Sequence, residues 1–463
     1  METLDNLNRA LELPLKGKDS FFLWGPRQTG KSSLLKASYH NVTARKRTSS
    51  RLRRTNDRSV RVISSDAEHA TLMSYASKRK YKLDLSSLHE DHEDDENAEI
   101  EDCGQSHNGL YINLLNSQIY SKYLNEPWLL REEILQKLKS SSLDKSIPII
   151  IDEVQRVPLL LDEVHLMIEE YDLKFALCGS SARKVKHGQA NLLGGRALKY
   201  KLYGLSAIEL GKKFDLRRMI NQGYLPKHYL SSANKAKDLW NSYISDYLKE
   251  EIAAEALVRN LPVFSEFLRS AAFSDTEVIN FSNIARDCGI SSKTVKEYFQ
   301  ILEDTLIGSL LVAYRENPKR KVILAPKFYY CDVGIVNNLL RRSNIEIKSE
   351  LFGKAFENWV YHELRCYNSY QRKFWDLSYW RLASGAAEVD FIINDMECAI
   401  EAKATDKIKK DELKGLRELI KDQPSIKKRI IVSLVDSSRL TEDGIEILNY
   451  MDFIKMLWQG KIL

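Results

Sequence analysis

Eight residues near the start of the chain constrain its fold more than any others: Gly25-Pro26-Arg27-Gln28-Thr29-Gly30-Lys31-Ser32 fits GxxxxGK[ST] at every fixed position. An apolar run, Phe21 to Trp24, comes before it, and the helix-like LLKASY comes after. Strand, glycine loop and helix in that order are the context such a loop needs. Successive backbone amides and the start of the helix face a phosphate chain, and the glycines remove side chains that would block its approach. The loop therefore points to an α/β fold with a parallel sheet, the architecture of a P-loop NTPase.

Residue roles follow from that geometry. Gly25, Pro26, Arg27, Gln28, Thr29, Gly30, Lys31, Ser32 and Ser33 line the expected site, with Lys31 bridging the β- and γ-phosphates of ATP and the Ser32 hydroxyl on Mg2+. The other half is Ile149-Ile150-Ile151-Asp152-Glu153, an apolar strand ending in two carboxylates. Asp152 would reach Mg2+, and Glu153 would orient and deprotonate the attacking water. Ser180 and Ser181 follow the next strand, Phe175 to Cys178, and are placed to sense the γ-phosphate or simply to make a polar turn. Arg196 reads either as an arginine finger reaching a neighbouring copy in a homo-oligomer or as an ordinary surface arginine. Strands at Phe21–Trp24, Leu110–Leu115, Ile149–Ile151 and Phe175–Cys178 alternate with helical stretches, as a parallel sheet covered on both faces requires.

At 463 residues the chain is too long for one ordinary core. We read an ATPase domain over 1–210, a helical lid or linker over 211–265, a winged-helix-like domain over 266–345 and a mixed α/β domain over 346–463. Within the first lies a charged insertion, 41–108, expected to be disordered; it holds a basic block at 45–61 and an acidic one at 90–102. His89, His92 and His107 stand there among carboxylates and read as solvated rather than metal-binding. The net charge of +6 is too small in a chain of this length to establish a nucleic-acid partner. No stretch approaches the roughly 20 apolar residues of a membrane span. The N-terminus lacks a secretory pattern, and the six cysteines lie far apart, which together suit a cytoplasmic protein with reduced thiols and no membrane partner.

Residues 281–303 have the helix, glycine turn and helix pattern of a helix-turn-helix, with Ser291 capping the second helix and Lys293 and Lys296 facing a groove. Arg315, Lys319, Arg320 and Lys321 would form a basic wing on DNA phosphates. The pattern resembles winged-helix domains, which also serve as protein-interaction modules. Further on, Glu388-Val389-Asp390-Phe391-Ile392-Ile393 and then Glu401-Ala402-Lys403 fit two adjacent strands carrying D…ExK, with Glu357 on the helix before them. Glu401 and Lys403, two apart, share a strand face. Glu357, Asp390 and Glu401 could hold a hard divalent cation, leaving Lys403 near an attacking water. A fold kept for DNA binding or assembly, and a plain solvated strand edge, are the other readings.

GPRQTGKSSLL, PIIIDEVQRVP, ALCGSSARKV and NLLGGRA, followed by YGLSAIEL, resemble the prokaryotic AAA-type ATPases that carry a C-terminal restriction-endonuclease-like domain. The C-terminal strands are similar to the PD-(D/E)xK nuclease superfamily, which implies Asp390, Glu401 and Lys403 for metal binding and hydrolysis with Glu357 in support. The insertion at 41–108 departs from the family pattern, and SGAAEVD is one alanine longer than its usual turn. The resemblance implies an ATPase whose nucleotide state controls a DNA-directed winged helix and a nuclease-like domain. A nucleotide-dependent switch that binds protein partners and cuts nothing is the alternative.

Overall fold

The computed structural model describes residues 8–39, 109–181, 193–252, 258, 260–315, 325–382 and 384–463. The charged segment 41–108 with its three histidines, and the wing residues Lys319, Arg320 and Lys321, lie outside the described residues. The described residues of 1–23, 30–178 and 190–199 make one compact unit, and those of 24–29, 179–189 and 200–463 make a second.

The first unit is built on a five-stranded sheet of β1 (Ser20–Trp24), β2 (Tyr111–Asn113), β3 (Ile149–Asp152), β4 (Phe175–Gly179) and β5 (Ala197–Lys201), in the order β2-β3-β4-β1-β5. β2 pairs with β3 and β3 with β4, both in parallel, with Tyr111 opposite Ile150 and Ile149 opposite Phe175. Every residue of β1, β3 and β4 is buried, so their sequences run apolar without alternation. Truncating one of the β3 isoleucines, all 1% exposed or less, would cost about 2–5 kcal/mol. Helices Ser117–Asn125, Leu129–Lys139 and Leu160–Tyr171 lie in the crossovers.

The second unit begins with helices, among them Leu216–Gln222, Ala233–Ser242 and Leu261–Phe273, with a π-helical stretch at Tyr243–Glu251. Helices Phe281–Cys288 and Ser292–Asp304 follow, joined through Gly289 in the left-handed region at φ 65°. Ser291 caps the second of them, its side chain accepting from the Thr294 amide at 3.1 Å, as the sequence pattern requires. Phe264, Phe267, Val295, Phe299, Phe328 and Tyr330 pack in one buried cluster, tying this pair to the antiparallel hairpin of β6 (Gly308–Leu311) and β7 (Lys327–Tyr330). Just after β7, Asp332 caps the helix Val333–Leu339 through one oxygen and accepts the amides of Tyr224 and Leu225 through the other.

A second sheet of β8 (Leu377–Arg381), β9 (Glu388–Ile393), β10 (Cys398–Lys403), β11 (Lys428–Ser433), β12 (Arg439–Leu440) and β13 (Ile445–Asn449) runs in the order β12-β13-β11-β10-β9-β8. β8, β9 and β10 are antiparallel neighbours, whereas β10–β11 and β11–β13 pair in parallel. The sequence pattern helix, three strands, helix stops at Lys414–Asp422; the structure adds β11, β12, β13 and a final helix, Tyr450–Trp458. The buried run Arg429–Ser433 supplies the central strand of this sheet, packed with Val389, Ile447, Leu416 and Leu419. Among the described residues no helix is long and apolar enough to cross a membrane, and the five cysteines are buried and unbridged.

Candidate functional site

The loop after β1 is shaped by two left-handed residues, Gln28 at φ 63° and Gly30 at φ 87°. Gly30 would meet nothing with an added Cβ, so its glycine answers to backbone conformation rather than space. Gly25 answers to space: a Cβ there would stand 2.2 Å from the carbonyl oxygen of Leu202. The Thr29 hydroxyl closes the turn by donating to the Pro26 carbonyl at 2.9 Å. Residues 31–39 are helical, and the Leu34 amide donates to the Gly30 carbonyl at 2.9 Å, so the helix starts where Lys31 stands. Amides in such a first turn have no intrahelical acceptor.

At the tip of β3 both predicted acids are largely buried, Asp152 at 2% and Glu153 at 9% exposure. Asp152 accepts from the Tyr111 hydroxyl at 2.7 Å and from the Glu153 amide at 3.0 Å. Glu153 sits in the left-handed region at φ 57° and ψ 41°, a conformation that costs a non-glycine residue on the order of 1–3 kcal/mol. The Gln155 side-chain amide donates to its Oε2. The buried thiol of Cys178, the last apolar residue of β4, shows what converges here. Burial and then the Asp152 carboxylate push it well above its ordinary value, with Lys31 opposing and Glu153 reinforcing. Lys31, Asp152 and Glu153 thus lie within electrostatic reach of one atom.

Ser180 and Ser181 are buried at the end of β4. Arg196 pairs with Glu169 of the helix Leu160–Tyr171, both side chains being partly exposed, so here it is engaged by its own chain. Lys293 and Lys296 are exposed on the second helix of the pair, with Lys296 Nζ 5.3 Å from the Phe281 ring centroid, and Arg315 is exposed after β6. From the loop, the Arg27 guanidinium lies 5.0 Å from the ring centroid of Tyr247 in the π-helical stretch.

The C-terminal acids do come together. The Asp390 amide donates to Glu401 Oε2 at 3.4 Å, the Ala402 amide donates to Asp390 Oδ2 at 3.0 Å, and Lys403 Nζ lies 2.6 Å from Glu401 Oε1. Glu357 joins them from the helix Glu350–Tyr370, its Oε1 accepting from the Tyr329 hydroxyl at 2.7 Å. A fifth group that sequence reading missed completes the cluster. Lys327, on β7, places Nζ 3.1 Å from Glu357, 2.6 Å from Glu388 and 3.1 Å from Asp390. Burial, then the Asp390 carboxylate, raises the Glu357 carboxyl against the pull of Lys327; burial and Asp390 likewise raise Glu401. Burial works to lower Lys327, but the surrounding carboxylates outweigh it and hold its ammonium well above the ordinary lysine value.

Among the described residues no group of three or more His, Cys, Asp or Glu is placed to hold a metal ion. At the C-terminal cluster an ammonium group stands among the carboxylates. Nothing flagged Lys327 beyond its odd position at the head of the buried run KFYY. Tyr111 and Gln155, which fix the acids of β3, gave no signal either, since each belongs to an unremarkable strand or turn in sequence.

Comparison with known proteins divides the chain into three matched segments. Residues 95–211 match a family described as an AAA domain, a stretch that takes in Asp152, Glu153, Ser180 and Arg196, while the Gly25–Ser32 loop precedes it. Residues 213–346 match a domain of unknown function (DUF8612), and residues 352–453 match another (DUF4143); neither description names a nuclease or a DNA-binding module. The chain is also similar to an "Uncharacterized protein" of Haemophilus influenzae, 23% identical over 367 residues that span 75% of this chain and 86% of the relative. The AAA match supports a nucleotide-binding, AAA-type ATPase in the first part of the chain.

Proposed function

We propose that this protein binds ATP with Mg2+ at Gly25–Ser32 and Asp152, hydrolyses it with Glu153 as the base, and uses the nucleotide state to govern a helix pair that contacts DNA. The observation that carries the reading is the convergence of Lys31, Asp152 and Glu153, with Glu153 held in a strained conformation at the strand tip. Strain of that kind persists where a site needs a side chain aimed. The Arg27 contact with Tyr247 supports the switching part, because it ties the loop to a π-helical stretch, a geometry that recurs at functional positions. Exposed Lys293 and Lys296 support the DNA part.

Of the readings for the C-terminal sheet, a fold kept for DNA binding or assembly is favoured over cleavage, because Lys327 stands among the acids. ATP titration of the full chain with Mg2+ tests the core of the proposal. Lys31→Ala should weaken binding on the order of 10²-fold, the loss of one preorganised charge contact on the phosphates. Unchanged affinity would defeat the assignment. For the DNA part, anisotropy with a labelled duplex should show Lys293→Ala/Lys296→Ala weakening affinity about ten-fold and flattening its salt dependence. Equal binding by both proteins would transfer this helix pair to the protein-docking reading.

A further inference from the structure

The acid cluster of β9 and β10 is entered from β7 by a lysine whose side chain is only 3% exposed. An ammonium has three donors, and Lys327 aims its Nζ at three carboxylates, Glu388 at 2.6 Å and Glu357 and Asp390 at 3.1 Å each. We propose that Lys327 is the resident cation of this cluster, standing where an oxygen-ligated divalent ion would sit, so that metal enters only if β7 withdraws its lysine. The inference concerns a site separate from the phosphate loop and holds whether or not the protein hydrolyses ATP.

Geometry argues for it first. Hard divalent cations demand oxygen ligands at roughly 2.0–2.6 Å, and a point inside this ring of oxygens is already filled by a nitrogen. Charge argues next: a divalent ion beside a buried ammonium meets like-charge repulsion, which a water-poor surrounding does little to screen. The acids are also pinned in the arrangement that suits the lysine. Tyr329 donates to Glu357 and the Ala402 amide donates to Asp390, while Glu401 is taken up by Lys403. The Tyr379 ring lies 5.8 Å from Nζ, closing one more approach. Because Lys327 begins the strand paired with β6, its withdrawal would displace an edge of the hairpin that packs with the helix pair. The lysine therefore works as a latch between that hairpin and the C-terminal sheet.

Mn2+ alone, titrated into the full chain without nucleotide and followed by the loss of its free paramagnetic signal, tests the proposal. All proteins carry Asp152→Asn so that the β3 acids do not contribute. With Lys327 present, no binding that depends on Asp390 is expected. Lys327→Met should gain a Mn2+ site that the parent lacks, and adding Asp390→Asn should abolish it. Mn2+ binding by the parent that disappears with Asp390→Asn would overturn the proposal, and so would a folded Lys327→Met protein that binds no better than its parent. Should Lys327→Met fail to fold by circular dichroism, Lys327→Gln takes its place in the same titration, and its binding Mn2+ no better than the parent would equally overturn the proposal.

Discussion

At the end of β3, Asp152 is held by a hydroxyl and a backbone amide, from Tyr111 and Glu153; along β9 and β10, Asp390 and Glu401 are met by the ammonium groups of Lys327 and Lys403. Both acid sets are nearly as deeply buried, and both are steadied by a neighbouring main-chain N–H. What differs is the hydrogen-bond donor, neutral at Asp152 and an ammonium at Asp390 and Glu401. A neutral donor aims a carboxylate without cancelling it, so the acid keeps its attraction for a cation. An ammonium cancels it and turns the same residue type into a structural tie. Carboxylates at strand ends thus have to be judged by what already holds them.

The largest effect that would break this comparison lies at Glu153. Replacing it with Gln keeps the side-chain shape and removes the proposed base, so single-turnover ATP hydrolysis should fall by about 10²–10⁴-fold while ATP affinity is little changed. An equal loss in both would place Glu153 with the binding groups and remove the contrast.

A smaller effect sharpens the other side, where buried acids of the second unit are neutralised by a proton as well as by lysine. Glu363, fully buried on the same helix as Glu357, is pushed up to about 8 by burial, against the pull of the Ala207 amide that donates to it at 2.7 Å. In the unfolded chain an ordinary glutamate titrates near about 4.3. The fold therefore holds a proton that the unfolded chain has released. The resulting stabilisation is complete below the unfolded value and is lost as pH rises toward the folded one. Denaturant unfolding measured between about pH 5 and 7.5 should show stability falling with pH, and Glu363→Gln should remove up to about 1.4 kcal/mol per pH unit of that slope. Superimposable slopes would mean that Glu363 is already ionised in the folded protein.

The sequence made some of this visible and hid the rest for identifiable reasons. The first sheet was legible because strands buried on both faces are unbroken apolar runs, as in Ile149–Asp152, and because the glycine loop has fixed spacing. The helix pair was legible through Ser291 and Gly289, local signals whose meaning does not depend on distant residues. The strands after Lys414–Asp422 were not legible although Lys428–Ser433 is apolar enough, since a short apolar run does not by itself separate a strand from a buried helical turn. Lys327 could not be read at all. Its partners Glu357 and Asp390 stand 30 and 63 positions away, and a lysine before an aromatic run looks the same in sequence whether it faces water or three acids.

Gly25 has a practical lesson for anyone disabling this loop. The Leu202 amide donates to the Trp24 carbonyl at 2.8 Å, and the Leu202 carbonyl then crowds the next residue so closely that even a methyl group would force the two segments apart. An inactive alanine variant at this position would report a pried-open seam rather than a missing contact to a phosphate.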